Sequence, residues 1–179
     1  MLELNFKRTF FWLFFFYVLS IVYAFSMGGM LPEAIRYVSR VKPAQFMPSF
    51  KVATCLITHN NLLLLLQRSA DVSQPLTWTT PGGYIDGDEE PQKAILREVR
   101  EETGLELDEK KLKYHGPLYT CVDGIQYPLH VFDTTLPDLP SKITLSPREH
   151  SKHEWVPLEE VKDRPLIKGL KDVLDLEFK

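Results

Sequence analysis

The stretch GYIDGDEEPQKAILREVREETGL, residues 83–105, is the most informative part of the chain because it crowds negative charge onto a short segment. It holds seven acidic side chains against three basic ones, and Glu98, Glu101 and Glu102 fall within five residues. In a helix these three positions share one face, where each pair of like charges is destabilising by about 0.2–0.5 kcal/mol. The segment therefore requires compensation, either from nearby Arg and Lys side chains or from a bound cation.

Local signals set the expected limits of this acidic helix. Asp88 is the expected N-cap, and Pro91 stands early in the first turn, where its missing N–H is harmless. Gly104 is the expected end, because glycine readily takes the left-handed conformation that closes a helix. The upstream residues WTTPGG break regular structure.

Apolar runs on both sides of the helix predict strands. KVATCLIT and LLLLLQR flank the turn signal His59-Asn60-Asn61, which predicts a pair of core strands. Asp123-Gly124 predicts a second hairpin. The stretch PLIKGLKDVLDLEF predicts a C-terminal helix with an apolar face. Strands and helices mixed in this way indicate one α/β domain.

The spacing of fixed residues across 83–105 resembles the signature of the Nudix hydrolase family at every defined position. The matching residues are Gly83, Glu89, Arg97, Glu98, Val99, Glu101, Glu102, Gly104 and Leu105. The flanking stretches LTWTTPGG and EHSKHEWVPLEEV also look like those of the family, so the resemblance covers roughly residues 50–165. It implies an α/β Nudix fold, with a mixed β-sheet sandwiched between α-helices.

The chemistry of the acidic face agrees with this resemblance. Hydrolysis of a diphosphate requires neutralised phosphate oxygens and an activated water, and hard divalent cations supply both. Mg²⁺ prefers carboxylate oxygens beside substrate phosphates. The resemblance implies a Mg²⁺ site, with Mn²⁺ as a substitute, in which Glu98 and Glu102 are the main metal ligands. Glu101 is then a further ligand or the base that activates water.

Other residues have supporting roles by the same resemblance. Arg97 is expected to pair with Glu89 and so tie the preceding loop to the helix. Gly82 and Gly83 let the backbone pass close to metal and phosphate, because no Cβ obstructs it. Glu149 lies where many relatives carry a loop glutamate, and it is either a metal ligand, the general base or an exposed loop acid.

Substrate contacts are harder to place from the sequence. Arg68 is a candidate for a phosphate contact, although the end of a strand also suits a solvated Arg. Tyr84 is a candidate for stacking on a base, although most large aromatic side chains are core residues. The five histidines show no ligand spacing, so none is assigned to the site.

The N-terminal part of the chain differs from the rest. Residues 1–32 form a hydrophobic leader, and its segment 9–32 is uncharged and reaches the length of about 20 residues that crosses a bilayer. The leader is interpreted as a membrane anchor, a signal-like segment or an artefact of start-site choice. Residues 33–47 are a basic connector, expected to include a short helix, and residues 48–179 are the Nudix hydrolase domain.

Charge and cysteine content bound the partners and the compartment. Residues 51–179 carry 22 acidic and 16 basic side chains, which argues against nucleic-acid backbone binding. Two cysteines are too few for a disulfide framework, which favours a cytoplasmic catalytic domain, membrane-anchored if the leader is an anchor. Oligomeric state stays open.

The expected function is Mg²⁺-dependent hydrolysis of a diphosphate linkage in a nucleoside diphosphate derivative. Nucleotide sugars, nucleoside triphosphates and dinucleotides all remain open as the small-molecule substrate. The alternative is a catalytically inactive nucleotide-sensing Nudix module on a membrane tether, since fold alone does not fix function.

Overall fold

The structure is a computed structural model that describes residues 36–178. No helix in this part of the chain is long and apolar enough to cross a membrane. The leader 1–32, including the segment 9–32 on which the anchor interpretation depends, lies outside the described residues, and so does the beginning of the connector.

Eight strands and two helices make up this part of the chain. The strands are β1 Tyr37–Ser39, β2 Val52–His59, β3 Leu62–Arg68, β4 Trp78–Thr79, β5 Gly82–Tyr84, β6 Lys113–Val122, β7 Ile125–Thr135 and β8 His150–Pro157. The α-helices are α1 Pro91–Thr103 and α2 Leu170–Glu177, and short 3-10 turns lie at Glu109–Lys111 and Val161–Asp163.

The strands form one mixed sheet. Its main order is β1-β6-β7-β2-β3-β4, with β5 also pairing with β2 and β8 with β3. The central pair of β2 and β7 is parallel, so that Val52 lies opposite Leu129, whereas the other named pairs are antiparallel.

The sheet separates two hydrophobic clusters, because successive side chains of a strand point to opposite faces. On β2, Leu56 joins the cluster that packs against α2, whereas Cys55 and Ile57 join the cluster that packs against α1. Each fully buried Leu or Ile stabilises the fold by roughly 1.5–3 kcal/mol. The two helices thus cover opposite faces, which confirms the predicted α/β Nudix architecture.

Both predicted hairpins are present. Asn60 and Asn61, with φ of 44° and 64°, connect β2 to β3, and Asp123 and Gly124, with φ of 52° and 80°, connect β6 to β7. Two successive left-handed residues give the turn whose twist matches that of antiparallel strands, and Asn, Asp and Gly tolerate this conformation best.

The predicted start of the acidic helix is wrong by two residues. The N-cap is Glu90, with extended backbone, and Pro91 is the first helical residue. Asp88 is not the cap, because it lies inside a turn in which the Glu89 N–H donates to the Asp86 carbonyl oxygen at 2.8 Å. The predicted end is confirmed, since Gly104 is left-handed with φ of 71° and its N–H donates to the carbonyl oxygen of Arg100.

The short helix expected in the connector is absent from the described residues 36–47. Tyr37–Ser39 instead forms β1, in which Tyr37 lies opposite Cys121 of β6. Aromatic and β-branched side chains suit such a pleated, half-buried edge. The segment is also tied to α2, because Arg40 forms an ion pair of 2.9 Å with Glu177, and His115 of β6 contacts the same carboxylate at 2.8 Å.

Candidate active site

Three glutamates of α1 project toward the same region but to different depths. The exposed fraction of the side chain is 55% for Glu101, 14% for Glu98 and 7% for Glu102. The apolar side of the helix packs against the sheet. The acidic face therefore runs from solvent, at Glu101, into the protein, at Glu102. Glu102 is therefore the most buried of the three acids.

Glu102 is held by backbone and has no Lys or Arg partner among residues 36–178. Its Oε2 accepts a hydrogen bond of 2.8 Å from the Gly82 N–H. Burial is the main reason why the pKa of Glu102 lies well above its ordinary value, and the charges of Glu98 and Glu149 raise it further. Burying an unpaired carboxylate is costly, so the metal-free site favours a protonated Glu102.

Glu98 lies against the backbone of β5. A Cβ added to Gly83 would lie only 2.5 Å from Cδ of Glu98. Glycine has no side chain, so this clash does not occur. Burial raises the pKa of Glu98, although the hydrogen bond from Arg97 opposes that shift. The other glycine, Gly82, faces β2, where its Cβ would lie 2.2 Å from the Ala53 carbonyl oxygen.

Arg97 connects the helix to the loop before it. Its Nε and Nη2 donate to the two carboxylate oxygens of Glu89 at 3.1 and 2.8 Å, the pairing that the resemblance implies. Nη2 also donates to the Tyr84 carbonyl oxygen at 3.0 Å, and Nη1 donates to Glu98 Oε1 at 2.6 Å. The hydrogen bond from Arg97 is the main cause that lowers the pKa of Glu89.

The negative charges of the acidic helix and the loop before it are therefore neutralised only in part. Arg97 neutralises Glu89 and Glu98 directly and lies 3.7 Å from Glu101. Glu102 receives no such partner within the described chain. The arginine accounts for the outer acids, whereas the inner acid requires a proton or a cation.

Glu149 and His150 come to the same place from the start of β8. One ligand atom each of Glu102, Glu149 and His150 lies within 4.8 Å of the other two. Glu149 is exposed, while His150 is 2% exposed. Burial, and then the charge of Arg68, lowers the pKa of His150 to about 4, so its ring is neutral at pH 7. Sequence reasoning missed His150, and its place next to Glu149 was the only available signal.

Arg68 lies near the acids but is engaged elsewhere. Its Nε donates to the Ser73 carbonyl oxygen at 2.6 Å and its Nη2 to Ser73 Oγ at 3.0 Å. Its charge still acts on the buried site, since it lowers the pKa of Glu102 and of His150. Arg68 therefore lies close to the cluster, but its guanidinium is hydrogen-bonded to Ser73 and not to the acids.

Tyr84 is an exposed aromatic residue at the end of β5, and its backbone carbonyl oxygen accepts the hydrogen bond from Arg97. It is 59% exposed and meets Phe50 edge to face, with ring centroids 4.9 Å apart. Phe50 in turn stacks on Tyr127 at 5.1 Å. Tyr84 is thus an exposed member of a row of three aromatic rings.

Comparison with known proteins agrees with this geometry. The sequence model of the NUDIX domain matches residues 48–176. The chain belongs to the Nudix hydrolase family. As a Nudix-type hydrolase it acts on diphosphate bonds.

Relatives of this Nudix hydrolase include enzymes of nucleotide hydrolysis. It is 32% identical over 120 residues to the CTP pyrophosphohydrolase of Escherichia coli (strain K12), across 67% of this chain and 84% of that one. It is 30% identical over 122 residues to the asymmetrical bis(5′-nucleosyl)-tetraphosphatase of Mus musculus, across 62% and 74%. The crystal structure of the MutT protein from Methanosarcina mazei Go1 superposes with a TM-score of 0.61 at 26% identity, across 72% and 92% of the chains.

The donor set of this Nudix hydrolase fits a divalent metal. Glu98 Oε1 and Glu102 Oε2 are occupied by Arg97 and Gly82, which leaves the second oxygen of each carboxylate for another partner. Hard cations prefer such oxygens. The buried, unpaired Glu102 is the observation that favours a cation here, because positive charge offsets the cost of burying its carboxylate.

Proposed function

We propose that this Nudix hydrolase is a Mg²⁺-dependent enzyme, also active with Mn²⁺, that cleaves a diphosphate linkage in a nucleotide. Nucleoside triphosphates are the first candidate substrates. The observation that carries the proposal is Glu102, a buried carboxylate beside Glu98 and Glu149 that Arg97 does not neutralise. A divalent cation bound by such carboxylates would also bind the phosphate oxygens of a nucleotide.

Glu98 and Glu102 are the proposed metal ligands. Gly82 and Arg97 each hold one oxygen of these carboxylates, so the ligand atoms are Glu98 Oε2 and Glu102 Oε1. The bound cation supplies charge neutralisation on phosphate oxygens and acidifies a water. Fixing one oxygen of each carboxylate in advance reduces the reorganisation needed during the reaction.

Two acids are candidates for accepting the proton of the attacking water. Glu101 is the most exposed glutamate of the helix face, and Glu149 is exposed on the neighbouring loop and close enough for its charge to raise the pKa of Glu98 and Glu102. The pH profile of kcat separates them, because replacing the general base with Gln removes the acidic limb of that profile.

Several observations favour a nucleotide as substrate. Tyr84 follows Gly83 in β5, and its exposed ring offers a stacking surface for a base. The CTP pyrophosphohydrolase and the bis(5′-nucleosyl)-tetraphosphatase among the relatives have names that refer to nucleotides. The net negative charge of the domain disfavours binding of a nucleic-acid polymer. It permits binding of a small nucleotide whose phosphates are neutralised by a bound cation.

The test is a product assay on the full-length chain with Mg²⁺ and with Mn²⁺. CTP, dGTP, diadenosine tetraphosphate and ADP-ribose are the substrates, and two phosphate-bearing products are expected from at least one of them. Glu98→Gln and Glu102→Gln are each expected to lower kcat about 100-fold or more, while the exposed Glu106→Gln keeps wild-type kcat. Nucleotide binding without turnover would instead favour a sensing module, and wild-type turnover by both site variants would refute the assignment.

A further inference from the structure

His150 is a buried histidine whose ring lacks hydrogen bonds. It is 2% exposed, and neither Nδ1 nor Nε2 has a hydrogen-bond partner in the described part of the chain. A neutral imidazole has one donor and one acceptor nitrogen. Leaving a buried polar group unsatisfied costs about 1–3 kcal/mol, so such a ring is expected to have a partner beyond these residues.

The ring faces the acidic cluster. Nδ1 lies 3.6 Å from Glu102 Oε1, which is too long for a hydrogen bond. The ligand atoms of Glu102, Glu149 and His150 are mutually within 4.8 Å. Atoms that share an ion at about 2.0–2.2 Å lie roughly 3–4.4 Å apart, so a small contraction brings these three into one coordination shell.

Backbone contacts hold His150 in this position. Its N–H and that of Glu149 both donate to the Ser146 carbonyl oxygen, at 2.8 and 3.0 Å, and the Ser69 N–H donates to the Glu149 carbonyl oxygen at 2.8 Å. The pairing of β3 with β8 shifts register between Gln67 and Arg68, where Arg68 lies opposite His150. Such bulges redirect side chains next to active sites.

We propose that His150 is a nitrogen ligand of the divalent cation that Glu102 binds, in the cluster that it forms with Glu102 and Glu149. This inference rests on the proposed function, because it takes a cation to be present at the cluster. A mixed set of imidazole and carboxylate donors favours a later first-row metal such as Co²⁺, whereas Mg²⁺ gains little from nitrogen. His150 therefore determines the metal preference of the site.

Pulsed electron paramagnetic resonance of Mn²⁺ bound to the full-length chain tests the ligand directly. A coupling from a directly bound ¹⁴N is expected, and growth with ¹⁵N-histidine is expected to convert it to the ¹⁵N pattern. His150→Gln is expected to remove the coupling. His153→Gln, three residues along the same strand and exposed, is the matched control and is expected to keep it.

Calorimetric titration gives the second measurement. His150→Gln is expected to weaken Co²⁺ binding about tenfold or more and Mg²⁺ binding less, while His153→Gln changes neither. Should His150→Gln fail to fold, the ¹⁵N-histidine measurement on the wild-type chain decides the question.

The outcomes separate this inference from the proposed function. Mn²⁺ bound with hydrolytic activity but without histidine coupling would overturn the inference and leave the proposed function intact, since a water bridging His150 to Glu102 gives no direct coupling. Failure of the wild-type chain to bind Mn²⁺ or Mg²⁺ would overturn both.

Discussion

Gly83 and Glu98 are packed so closely that the position of the carboxylate depends on the absence of a side chain at residue 83. A Cβ there would lie 2.5 Å from both Cδ and Oε2 of Glu98. The end of a glutamate side chain is flexible, so it can move aside without disturbing the backbone. Gly83→Ala is therefore expected to fold normally but to displace Glu98, and a shift of about 1 Å at such a group lowers kcat about 100-fold.

The neighbouring glycine provides the contrast for this prediction. A Cβ at Gly82 would meet the Ala53 carbonyl oxygen at 2.2 Å, and φ of Gly82 is 152°. Backbone cannot yield as a side chain does, so Gly82→Ala is expected to destabilise the fold by about 3 kcal/mol in urea unfolding. At Gly116 an added Cβ meets no atom within 4 Å, but φ is 89°, so Gly116→Ala is expected to lose some stability and keep wild-type kcat. Equal stability losses in the Gly82 and Gly83 variants would contradict this account.

The pH dependence of stability reports on Glu102 in metal-free protein. Burial raises the pKa of Glu102, so the folded state binds more protons than the unfolded state between the ordinary and the raised pKa. The free energy of unfolding therefore falls as pH rises through that interval. Each pKa unit of difference corresponds to about 1.4 kcal/mol.

Glu102→Gln removes this titration and keeps an oxygen for the Gly82 N–H. The stability of the variant relative to wild type is expected to increase with pH when both are unfolded by urea in the presence of a chelator. Taking the difference cancels groups that are far from Glu102. His150 lies 3.6 Å away, and its lowered pKa acts with the opposite sign. A saturating divalent cation is expected to reverse the ranking at high pH, and a difference independent of pH would argue against a raised pKa.

Arg97 is expected to stabilise the loop through its hydrogen bonds to Glu89 and Glu98. Arg97→Ala leaves these largely buried carboxylates without a cationic partner, so a loss of about 2–3 kcal/mol in the free energy of unfolding is expected. Arg97→Lys restores little of it, because an ammonium group cannot reproduce the fork that contacts both oxygens of Glu89.

Arg100 is the matched control on the same helix. It is exposed, so Arg100→Ala is expected to change the free energy of unfolding by less than about 0.5 kcal/mol. The loss in Arg97→Ala is expected to shrink in acid. The reason is that the pKa of Glu89 is lowered in the folded state, and its contribution disappears as pH falls through that pKa. Comparable effects of the two alanine variants would contradict the role given to Arg97.

Tyr84 is expected to affect substrate binding more than turnover. Its ring is open to solvent, its backbone carbonyl oxygen contacts Arg97, and an aromatic contact contributes about 0.5–1.5 kcal/mol. Tyr84→Ala is therefore expected to raise KM about 2- to 10-fold with kcat nearly unchanged, whereas Tyr84→Phe keeps the wild-type KM. An unchanged KM in the alanine variant would remove Tyr84 from the binding surface.

Patterns that depend on local backbone conformation were predictable from the sequence. Asn60-Asn61, Asp123-Gly124 and Gly104 lie in turns or at a helix end as predicted, since residues that tolerate positive φ are few. The start of α1 was not predictable in this way. Asp88 has a side chain suited to a cap, but the two hydrogen bonds from Arg97 hold Glu89 in the loop, and Pro91 becomes the first helical residue.

The candidate site was predictable only where its residues belong to one segment. Glu98, Glu101 and Glu102 share a face because of helical periodicity alone. His150 was missed because its relation to Glu102 depends on how β8 pairs with β3, which no spacing along the chain encodes. The contacts of Arg68 with Ser73 likewise depend on a loop whose course the sequence does not indicate.

The parallel pairing of Val52 with Leu129 joins segments far apart in the chain, so it closes a long loop and forms slowly during folding. The groups around Glu102 come from inside that loop, at Gly82, and from the chain that follows it, at Glu149 and His150. An excised peptide spanning the acidic helix would consequently be at most partly helical in water, and it would lack the groups that later strands bring to Glu102.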